Sequence, residues 1–255
     1  MTPFVVVIPA RYASSRFPGK PLVEINGKPM VVHVVDRARE SGATEVIVAT
    51  DDERIAKAAS AHDCTVSMTR NDHATGTDRI AEVADQRGWT DDTIVVNAQG
   101  DEPLLPPSMI RTVAQGLQQH DGASISTACH PIRDIAEFLD PNAVKVVFDA
   151  GGYALYFSRA PIPWPRDAFA ADEKTSLPTD LPAFRHIGIY AYRCEFLRKY
   201  ATLAPATVER FESLEQLRAM SHGYRIAVTV SDKAPPPGID TPDDLKRLRD
   251  SMAPL

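Results

Sequence analysis

The sequence predicts an α/β protein whose central sheet is mostly parallel and is covered by helices on both faces. Two observations predict this class. In the first half of the chain, short apolar runs alternate with longer segments whose apolar residues recur with the period of a helix. The short runs, such as Phe4–Ile8, are almost wholly apolar, which is typical of parallel strands buried on both sides.

Five strands are predicted in this half, each from a short run of apolar or β-branched residues. Those runs are Phe4–Ile8, Glu45–Ala49, Cys64–Met68, Thr93–Asn97 and Ser124–Ala128. Because helices separate them, parallel pairing in a Rossmann-like sheet is expected.

Four helices are predicted between those strands, each with a recognisable start or end. The first, Pro29–Ser41, carries its apolar residues on one face. Asp51-Asp52 supplies caps for a short alanine-rich second helix. The third begins at Thr77 or the residue after it and closes near Gly88, and Pro106-Pro107 opens the fourth, since proline suits a first helical turn.

After residue 141 the alternation changes to a predicted hairpin, with strands Ala143–Phe148 and Tyr153–Ser158 around a glycine turn. Residues 161–183 hold five prolines and are expected to form a long loop. The remaining predictions are a strand at Ile187–Tyr192, two helical stretches of which the second lies near Glu212–Ser221, a strand at Tyr224–Val230, and a closing helix capped by Thr241-Pro242-Asp243-Asp244.

Length and composition limit the function. The chain has 255 residues, 44% of them hydrophobic, so we expect one domain over 1–255 with a hairpin-rich subregion at 141–192. The net charge of −6 argues against a nucleic-acid partner. Three widely spaced cysteines favour reduced thiols in the cytoplasm. With no signal peptide pattern and no apolar run of ~18 residues, no membrane partner is expected.

The loop after the first strand is the strongest functional signal. Arg11, Arg16 and Lys20 place three cations there, and Gly19 permits close backbone approach to a ligand. Ligands of open α/β sheets bind at the carboxyl ends of strands, so this loop predicts a polyanion site. Its spacing matches neither GxxxxGK[ST] nor GxGxxG. The alternative is a solvated basic loop.

Two carboxylates are candidates for a metal site. Asp101 follows the strand Thr93–Asn97 and Gly100, and a carboxylate there suits Mg²⁺ bound together with phosphate oxygens. The alternative is that Asp101 or Glu102 merely caps the next helix. Asp240 precedes a helix cap and fits a structural turn, unless it is the second carboxylate of the metal that Asp101 would hold.

Other candidates are polar residues near predicted element ends. Residues 71–79 precede a helix, where free N–H groups suit an anion, although Arg79 fits an ordinary surface position equally well. Arg159 and Arg185 could bind a substrate carboxylate bidentately. His186, placed before the strand Ile187–Tyr192, is either structural or a contact to a polar substrate.

Together these blocks resemble the sugar nucleotidyltransferases, and most closely the family of 3-deoxy-manno-octulosonate (Kdo) cytidylyltransferases. The resemblance covers nearly the whole chain. Its blocks are IPARYASSRFPGKPL at 8–22, ATD at 49–51, HATGTDR at 73–79, VNAQGDEP at 96–103, PNAVKV at 141–146, ALYFSRAPIPW at 154–164, RHIGIY at 185–190, LEQLR at 214–218 and GIDTPD at 238–243. Many nucleotidyltransferases share the first block, whereas 156–159 and 185–190 look specific. Phe17 replaces a usual aliphatic residue, and 165–183 matches no family pattern.

The resemblance implies transfer of CMP from CTP to Kdo, giving CMP-Kdo and pyrophosphate for lipopolysaccharide biosynthesis. It implies Arg11, Lys20, Asp101 and Asp240 as catalytic residues, the last two as ligands of Mg²⁺. It implies nucleotide contacts from Arg11, Ser14, Arg16, Lys20, Thr77, Arg79 and Gln99. It implies Kdo contacts from Gln99, Arg159, Arg185, His186, Tyr190 and Glu215. The 141–192 subregion is implied to bind the sugar and to form a homodimer.

Three alternatives stay open at this point. The acceptor could be sialic acid or an isoprenoid precursor, in which case the first loop would be shared and the blocks at 156–159 and 185–190 would not. It could also be the 8-amino analogue of Kdo. A catalytically silent nucleotide-binding protein is the third alternative, and the intact set of charged residues in the first loop and at the two carboxylates argues against it.

Overall fold

A computed structural model describes residues 3–13, 17–73, 75–170 and 176–252. Its strands are β1 (Phe4–Ala10), β2 (Glu24–Ile25), β3 (Lys28–Pro29), β4 (Glu45–Thr50), β5 (Thr65–Met68), β6 (Ile94–Asn97), β7 (Ile125–Pro131), β8 (Lys145–Phe148), β9 (Ala154–Ser158), β10 (Phe184–Arg193) and β11 (Ile226–Val230). Its α-helices are α1 (Met30–Glu40), α2 (Glu53–Ser60), α3 (Gly76–Arg87), α4 (Pro107–Gln119), α5 (Ile135–Leu139), α6 (Cys194–Tyr200), α7 (Thr207–Glu212), α8 (Gln216–Ser221) and α9 (Pro242–Met252).

Nine of the described strands form one large sheet in the order β11-β7-β10-β6-β1-β4-β5, with the β8–β9 hairpin attached through β10, and β2 and β3 form a separate ribbon. Strand β1 lies between β4 and β6 and is parallel to both, and β5 and β11 also join by parallel pairing. Only β10 runs antiparallel within that order. The predicted mostly parallel sheet is therefore confirmed, and the carboxyl ends of β1, β4, β5, β6 and β7 meet at one edge.

Both faces of the sheet are buried, which explains the apolar runs. In β1, Val6 and Ile8 pack into the cluster that contains α1 and α4, whereas Val5 and Val7 pack into the cluster that contains α3, α6 and α8. Alternate side chains of a strand point to opposite faces, so a strand covered on both sides must be apolar throughout.

The element predictions hold for most of the chain, and their errors have local causes. Strand β10 begins at Phe184, so His186 lies within the strand and not before it. The predicted helix at Glu212–Ser221 starts only at Gln216, because Ser213 has a left-handed φ of 51° and ends α7. The short β2–β3 ribbon and α5 were not predicted, since each is too brief to show a period.

Among the described residues, no helix is both long and apolar enough to cross a lipid bilayer. The three cysteines are free and buried. Burial raises the pKa of each thiol, to about 12 for Cys129.

Candidate active site

The carboxyl edge of the sheet holds the candidate site, because the loops after β1 and β6 are pressed together there. A Cβ atom on Gly100 would lie 2.9 Å from the carbonyl oxygen of Pro9. Any side chain at position 100 would therefore separate the two loops. Glycine at this position lets residues 98–101 pack directly beside the first loop.

Lys20 and the two predicted metal ligands form one charged cluster. The Lys20 Nζ lies 2.6 Å from Asp101 Oδ2 and 3.3 Å from Asp240 Oδ1. A backbone hydrogen bond brings the two acidic loops together, since the Ile239 N–H donates to the Asp101 carbonyl over 2.8 Å. The lysine side chain is 12% exposed and the carboxylates 33% and 47%, so the ammonium lies beneath two accessible acids. Positions 139 residues apart in sequence thus share one site.

Glu102 extends this cluster, although the sequence predicts it only as a candidate helix cap. Burial, followed by the nearby Asp101 and Asp240 carboxylates, raises the pKa of Glu102 to about 7. Its Cγ would lie 3.5 Å from a Cβ placed on Gly238, so the second acidic loop packs against it. The only signal in the sequence was its position next to Asp101.

Arg11 connects the first loop to the start of α3. Its Nη2 donates to the carbonyl oxygens of His73 and Thr75, each over 2.9 Å. Thr75 caps α3 in a reciprocal capping box with Asp78. Arg11 therefore holds the residues at the start of α3 in place. It also lines the smaller of two cavities at this edge of the sheet.

Arg79 lies behind the site and is fully buried. Its Nη1 is 3.2 Å from Asp51 Oδ1 and donates to the Thr69 hydroxyl over 2.5 Å. Burial lowers the pKa of this guanidinium, while Asp51 opposes that shift. A direct nucleotide contact from Arg79 stays a prediction; in the structure it ties the ends of β4 and β5 to α3.

Two cavities open at this edge and share Gln99 and Gly76. The smaller, about 240 Å³, is lined by the first loop and by residues 99–101, including Arg11, Lys20 and Asp101. The larger, about 300 Å³, lies on the sheet face beneath α6 and α8. Thr77, Tyr190 and Glu215 line this larger cavity. Six side chains predicted to bind the nucleotide or the sugar thus surround two adjoining spaces.

Aromatic rings form one wall of the larger cavity and continue beneath it. The Tyr190 ring stacks on Tyr192 with centroids 5.9 Å apart, and His186 lies 5.3 Å from Tyr190. His186 Nε2 is 2.9 Å from the Thr127 hydroxyl. Burial lowers the pKa of His186 to about 3, so the imidazole is neutral near pH 7. Glu215, exposed at the rim, has a carboxyl pKa raised mainly by desolvation.

The two predicted carboxylate-binding arginines are engaged elsewhere in the structure. Arg159 donates from Nε to the Glu212 carbonyl over 2.7 Å and from Nη1 to the Pro141 carbonyl over 3.0 Å. Arg185 pairs with Glu137 over 2.9 Å and faces the side of the sheet opposite to Tyr190. Neither arginine lines the two shared cavities, so their contacts to a sugar stay predictions.

Ser14 and Arg16, also predicted to bind the nucleotide, lie outside the described residues. Within the described part of the chain, no group of three or more His, Cys, Asp or Glu side chains is arranged to hold a metal ion. The Asp101–Asp240 pair fits Mg²⁺, which proteins commonly bind through one or two carboxylates while substrate phosphates complete the shell.

The sequence model of the cytidylyltransferase family matches residues 5–226. The chain belongs to the cytidylyltransferase family. This cytidylyltransferase is also similar to a solved structure of CMP:2-keto-3-deoxy-manno-octonic acid synthetase complexed with CTP, at 45% identity over 98% of both chains with a TM-score of 0.88. That sugar acid is Kdo by another name.

Two more distant structures share the fold with this cytidylyltransferase. A nucleotidyl transferase from Methanothermobacter thermautotrophicus is 17% identical over 98% of both chains, with a TM-score of 0.60. A cytidylyltransferase from Leptospira borgpetersenii serovar Hardjo-bovis is 17% identical over 97% of this chain and 85% of its own, with a TM-score of 0.59. At this identity the likeness establishes the α/β fold alone.

Proposed function

We propose that this cytidylyltransferase transfers CMP from CTP to Kdo and releases pyrophosphate. The observation that carries the proposal is the pair of adjoining cavities that share Gln99. One is bordered by Arg11, Lys20 and the Asp101 carboxylate, and the other by aromatic and polar side chains. The similarity to a CMP-Kdo synthetase complexed with CTP supports the choice of both substrates. The product would serve lipopolysaccharide biosynthesis.

The smaller cavity suits the triphosphate. Arg11 and Lys20 border it and can neutralise phosphate oxygens, which is the main demand of phosphoryl and nucleotidyl transfer. Gly100 keeps the backbone close to this space without a side chain in between. Asp101 and Asp240 would hold Mg²⁺ against the phosphates, and the ion would supply charge neutralisation there.

The larger cavity suits the sugar acid. Gln99 at the shared boundary can orient the acceptor beside the α-phosphate, and Tyr190 and Glu215 offer polar groups on an aromatic wall. His186 does not line this cavity and contacts it only through the Tyr190 ring, so its contact to the sugar stays a prediction. The anomeric hydroxyl attacks the α-phosphorus in line, an O–P bond forms, and the bond to the β-phosphate bridging oxygen breaks. Pyrophosphate takes that electron pair, and the hydroxyl proton leaves to solvent.

A pyrophosphate-release assay tests this proposal. Purified protein with CTP and Mg²⁺ is expected to release pyrophosphate only when Kdo is added, and mass spectrometry is expected to find CMP-Kdo in equal amount. Sialic acid, 8-amino-Kdo and methylerythritol phosphate serve as alternative acceptors. Pyrophosphate release with one of these compounds and not with Kdo would identify that compound as the acceptor. No pyrophosphate release with any acceptor would favour a silent nucleotide-binding protein.

We also propose that the 141–192 subregion forms a homodimer. Strand β9 pairs only with β8 along its length, and its Leu155 side chain is 61% exposed. Beside it, Phe211 of α7 is 85% exposed, and Ser158 of β9 donates to Glu212 of α7 over 2.6 Å. An exposed apolar patch of this kind is typical of an interface between subunits.

Sedimentation analysis tests the dimer. The wild-type protein is expected to sediment at twice the mass of the 27.9 kDa chain, and Leu155→Asp is expected to shift it toward the monomer. Leu139→Asp, at another exposed apolar side chain, provides the matched control. A wild-type monomer at micromolar concentration would contradict the proposed dimer.

A further inference from the structure

Arg11 and Lys20 both line the smaller cavity, but they are held in different ways. The Lys20 ammonium contacts two carboxylates. Arg11 Nη2 instead donates to two neutral carbonyl oxygens, those of His73 and Thr75. Carbonyl oxygens orient a guanidinium without cancelling its charge. The direction of the Arg11 side chain therefore depends on where the loop that leads into α3 places these two carbonyls.

A carboxylate on α3 fastens this loop. Glu82 Oε2 accepts a hydrogen bond from the Arg70 N–H over 3.0 Å, and the same oxygen contacts His73 Nε2. The His73 side chain is only 7% exposed, so this pair lies inside the protein. Nearer the helix, Asp78 holds Thr75 through the capping box. Both residues that present carbonyls to the first loop are therefore held by acids of α3.

The contacts of Glu82 also establish which group of the pair donates. Burial raises the pKa of Glu82, but the hydrogen bonds from His73 and from the Arg70 N–H outweigh burial and lower that pKa below its usual value. Glu82 is thus a carboxylate near pH 7 and can only accept, so His73 Nε2 carries a proton and donates it. This hydrogen bond fixes the His73 ring and, with it, the carbonyl of the same residue.

The His73–Glu82 pair can act on the nucleotide only through Arg11, because neither member of the pair lines the two cavities. We infer that His73 and Glu82 are positioning residues, which aim the Arg11 guanidinium at the triphosphate by fixing the carbonyl of His73. This inference rests on the proposed function, since it takes the smaller cavity as the triphosphate site. The alternative is a structural tie that does not affect nucleotide binding.

Equilibrium binding of CTP with Mg²⁺, measured by calorimetry without an acceptor, tests the inference. Glu82→Leu is expected to raise the Kd for CTP ~10-fold. Glu82→Gln, whose amide oxygen can still accept both hydrogen bonds, should raise it by ~3-fold or less. Loss of a negative charge alone would tighten the binding of an anionic nucleotide, so weaker binding reports lost orientation.

Glu45→Leu is the matched control. Glu45 also pairs with a residue of α3, Arg87, over 3.3 Å, but it does so at the opposite end of the helix. The Kd for CTP should therefore stay within ~2-fold of the wild type. His73→Phe, which keeps a ring and removes Nε2, serves as a second test of the pair if Glu82→Leu does not fold, and it should also raise the Kd ~10-fold.

A double-mutant cycle separates positioning from a structural role. In an Arg11→Met background, Glu82→Leu is expected to change the Kd by less than ~2-fold, because the side chain that it positions is gone. An equal loss of affinity in both backgrounds would overturn the inference, and so would an unchanged Kd when Arg11 is present. The measurement needs no acceptor, so it decides this inference even if Kdo is not turned over. A wild-type protein that binds no CTP would overturn both the inference and the proposed function.

Discussion

The two cavities of the site have opposite kinds of wall. Lys20 and Asp101 line the smaller cavity, and Lys20 pairs with both Asp101 and Asp240, which are partly exposed. Around the inner part of the larger cavity, Tyr200 and Gln216 are neutral and buried, and the Tyr200 hydroxyl and Gln216 Nε2 have no hydrogen-bond partner among the described residues. On the proposed function, this difference means that the charged end would neutralise the triphosphate, which tolerates solvent, while the neutral end would receive the sugar.

The largest effect on turnover is expected from removing a negative charge beside the smaller cavity. Asp101→Asn should lower kcat for pyrophosphate release by ~10³-fold or more, because a carboxylate that would hold the metal is lost while the shape is kept. Circular dichroism and the Tm should stay close to those of the wild type.

Asp85→Asn is the control for this substitution, because Asp85 is a 64% exposed surface aspartate paired with Arg198, far from the cluster. It should retain full activity. Turnover of Asp101→Asn within ~10-fold of the wild type would remove Asp101 from the catalytic machinery. Asp240→Asn should behave like Asp101→Asn if both carboxylates serve one ion.

Replacing Lys20 separates the two roles of its ammonium. Lys20→Met should lower kcat/KM for CTP ~10²-fold and change the acceptor KM little. The reason is that Lys20 lines the smaller cavity, proposed for the triphosphate, and not the larger one, proposed for the sugar. The same variant should bind Mn²⁺ more tightly without nucleotide, since the ammonium contacts the same two carboxylates and competes for them.

Electron paramagnetic resonance of free Mn²⁺ measures that competition. Lys28→Met is the control, because Lys28 pairs with Asp36 away from the site. An unchanged kcat/KM for CTP would show that Lys20 does not act on the nucleotide. Unchanged Mn²⁺ affinity would show that Asp101 and Asp240 do not form the cation site.

A smaller effect, on stability, is expected at Glu102. Because its pKa is raised to about 7, the folded protein binds a proton there that the unfolded chain releases near its usual pKa of 4.5. That contribution to stability is present below pH 4.5 and is lost as the pH rises through 7. Glu102→Gln should therefore lie within about 1 kcal/mol of the wild type at pH 5 and be more stable by about 3 kcal/mol at pH 8.

Chemical denaturation at both pH values, without divalent cations, tests the Glu102 prediction. Glu40→Gln, at a 52% exposed glutamate, should show no such pH-dependent gain. An equal effect of Glu102→Gln at pH 5 and pH 8 would mean that its carboxyl is not held protonated by burial and the neighbouring acids.

Most of the charged cluster around Lys20 could be predicted from the sequence, because its residues lie in short blocks directly after buried strands. Arg11, Lys20 and Asp101 follow β1 and β6, and the rule for carboxyl ends of parallel strands brings them together. The pairing with Asp240 could only be suspected, since it depends on a backbone contact between loops far apart in the sequence.

The inner part of the larger cavity could not be predicted in the same way. Tyr200 and Gln216 lie on two short helices, where an aromatic or a glutamine fits an ordinary helix face. Asn97 ends a strand and gives no sign of a missing partner. Only the packing of α6 and α8 over β10, and the antiparallel direction of that strand, places these side chains around one space. The arginines Arg159 and Arg185 illustrate the converse, since suitable chemistry in the sequence did not place them at either shared cavity.

A crystal structure with CTP, Mg²⁺ and a Kdo analogue whose anomeric hydroxyl is replaced by hydrogen tests the division of the site most directly. Such an analogue cannot attack the α-phosphorus, so both ligands stay intact. We predict the triphosphate beside Arg11, Lys20 and Asp101 in the smaller cavity, and the sugar beside Tyr190 and Glu215 in the larger cavity. A sugar bound outside the larger cavity, or a triphosphate away from the Lys20 cluster, would contradict the account.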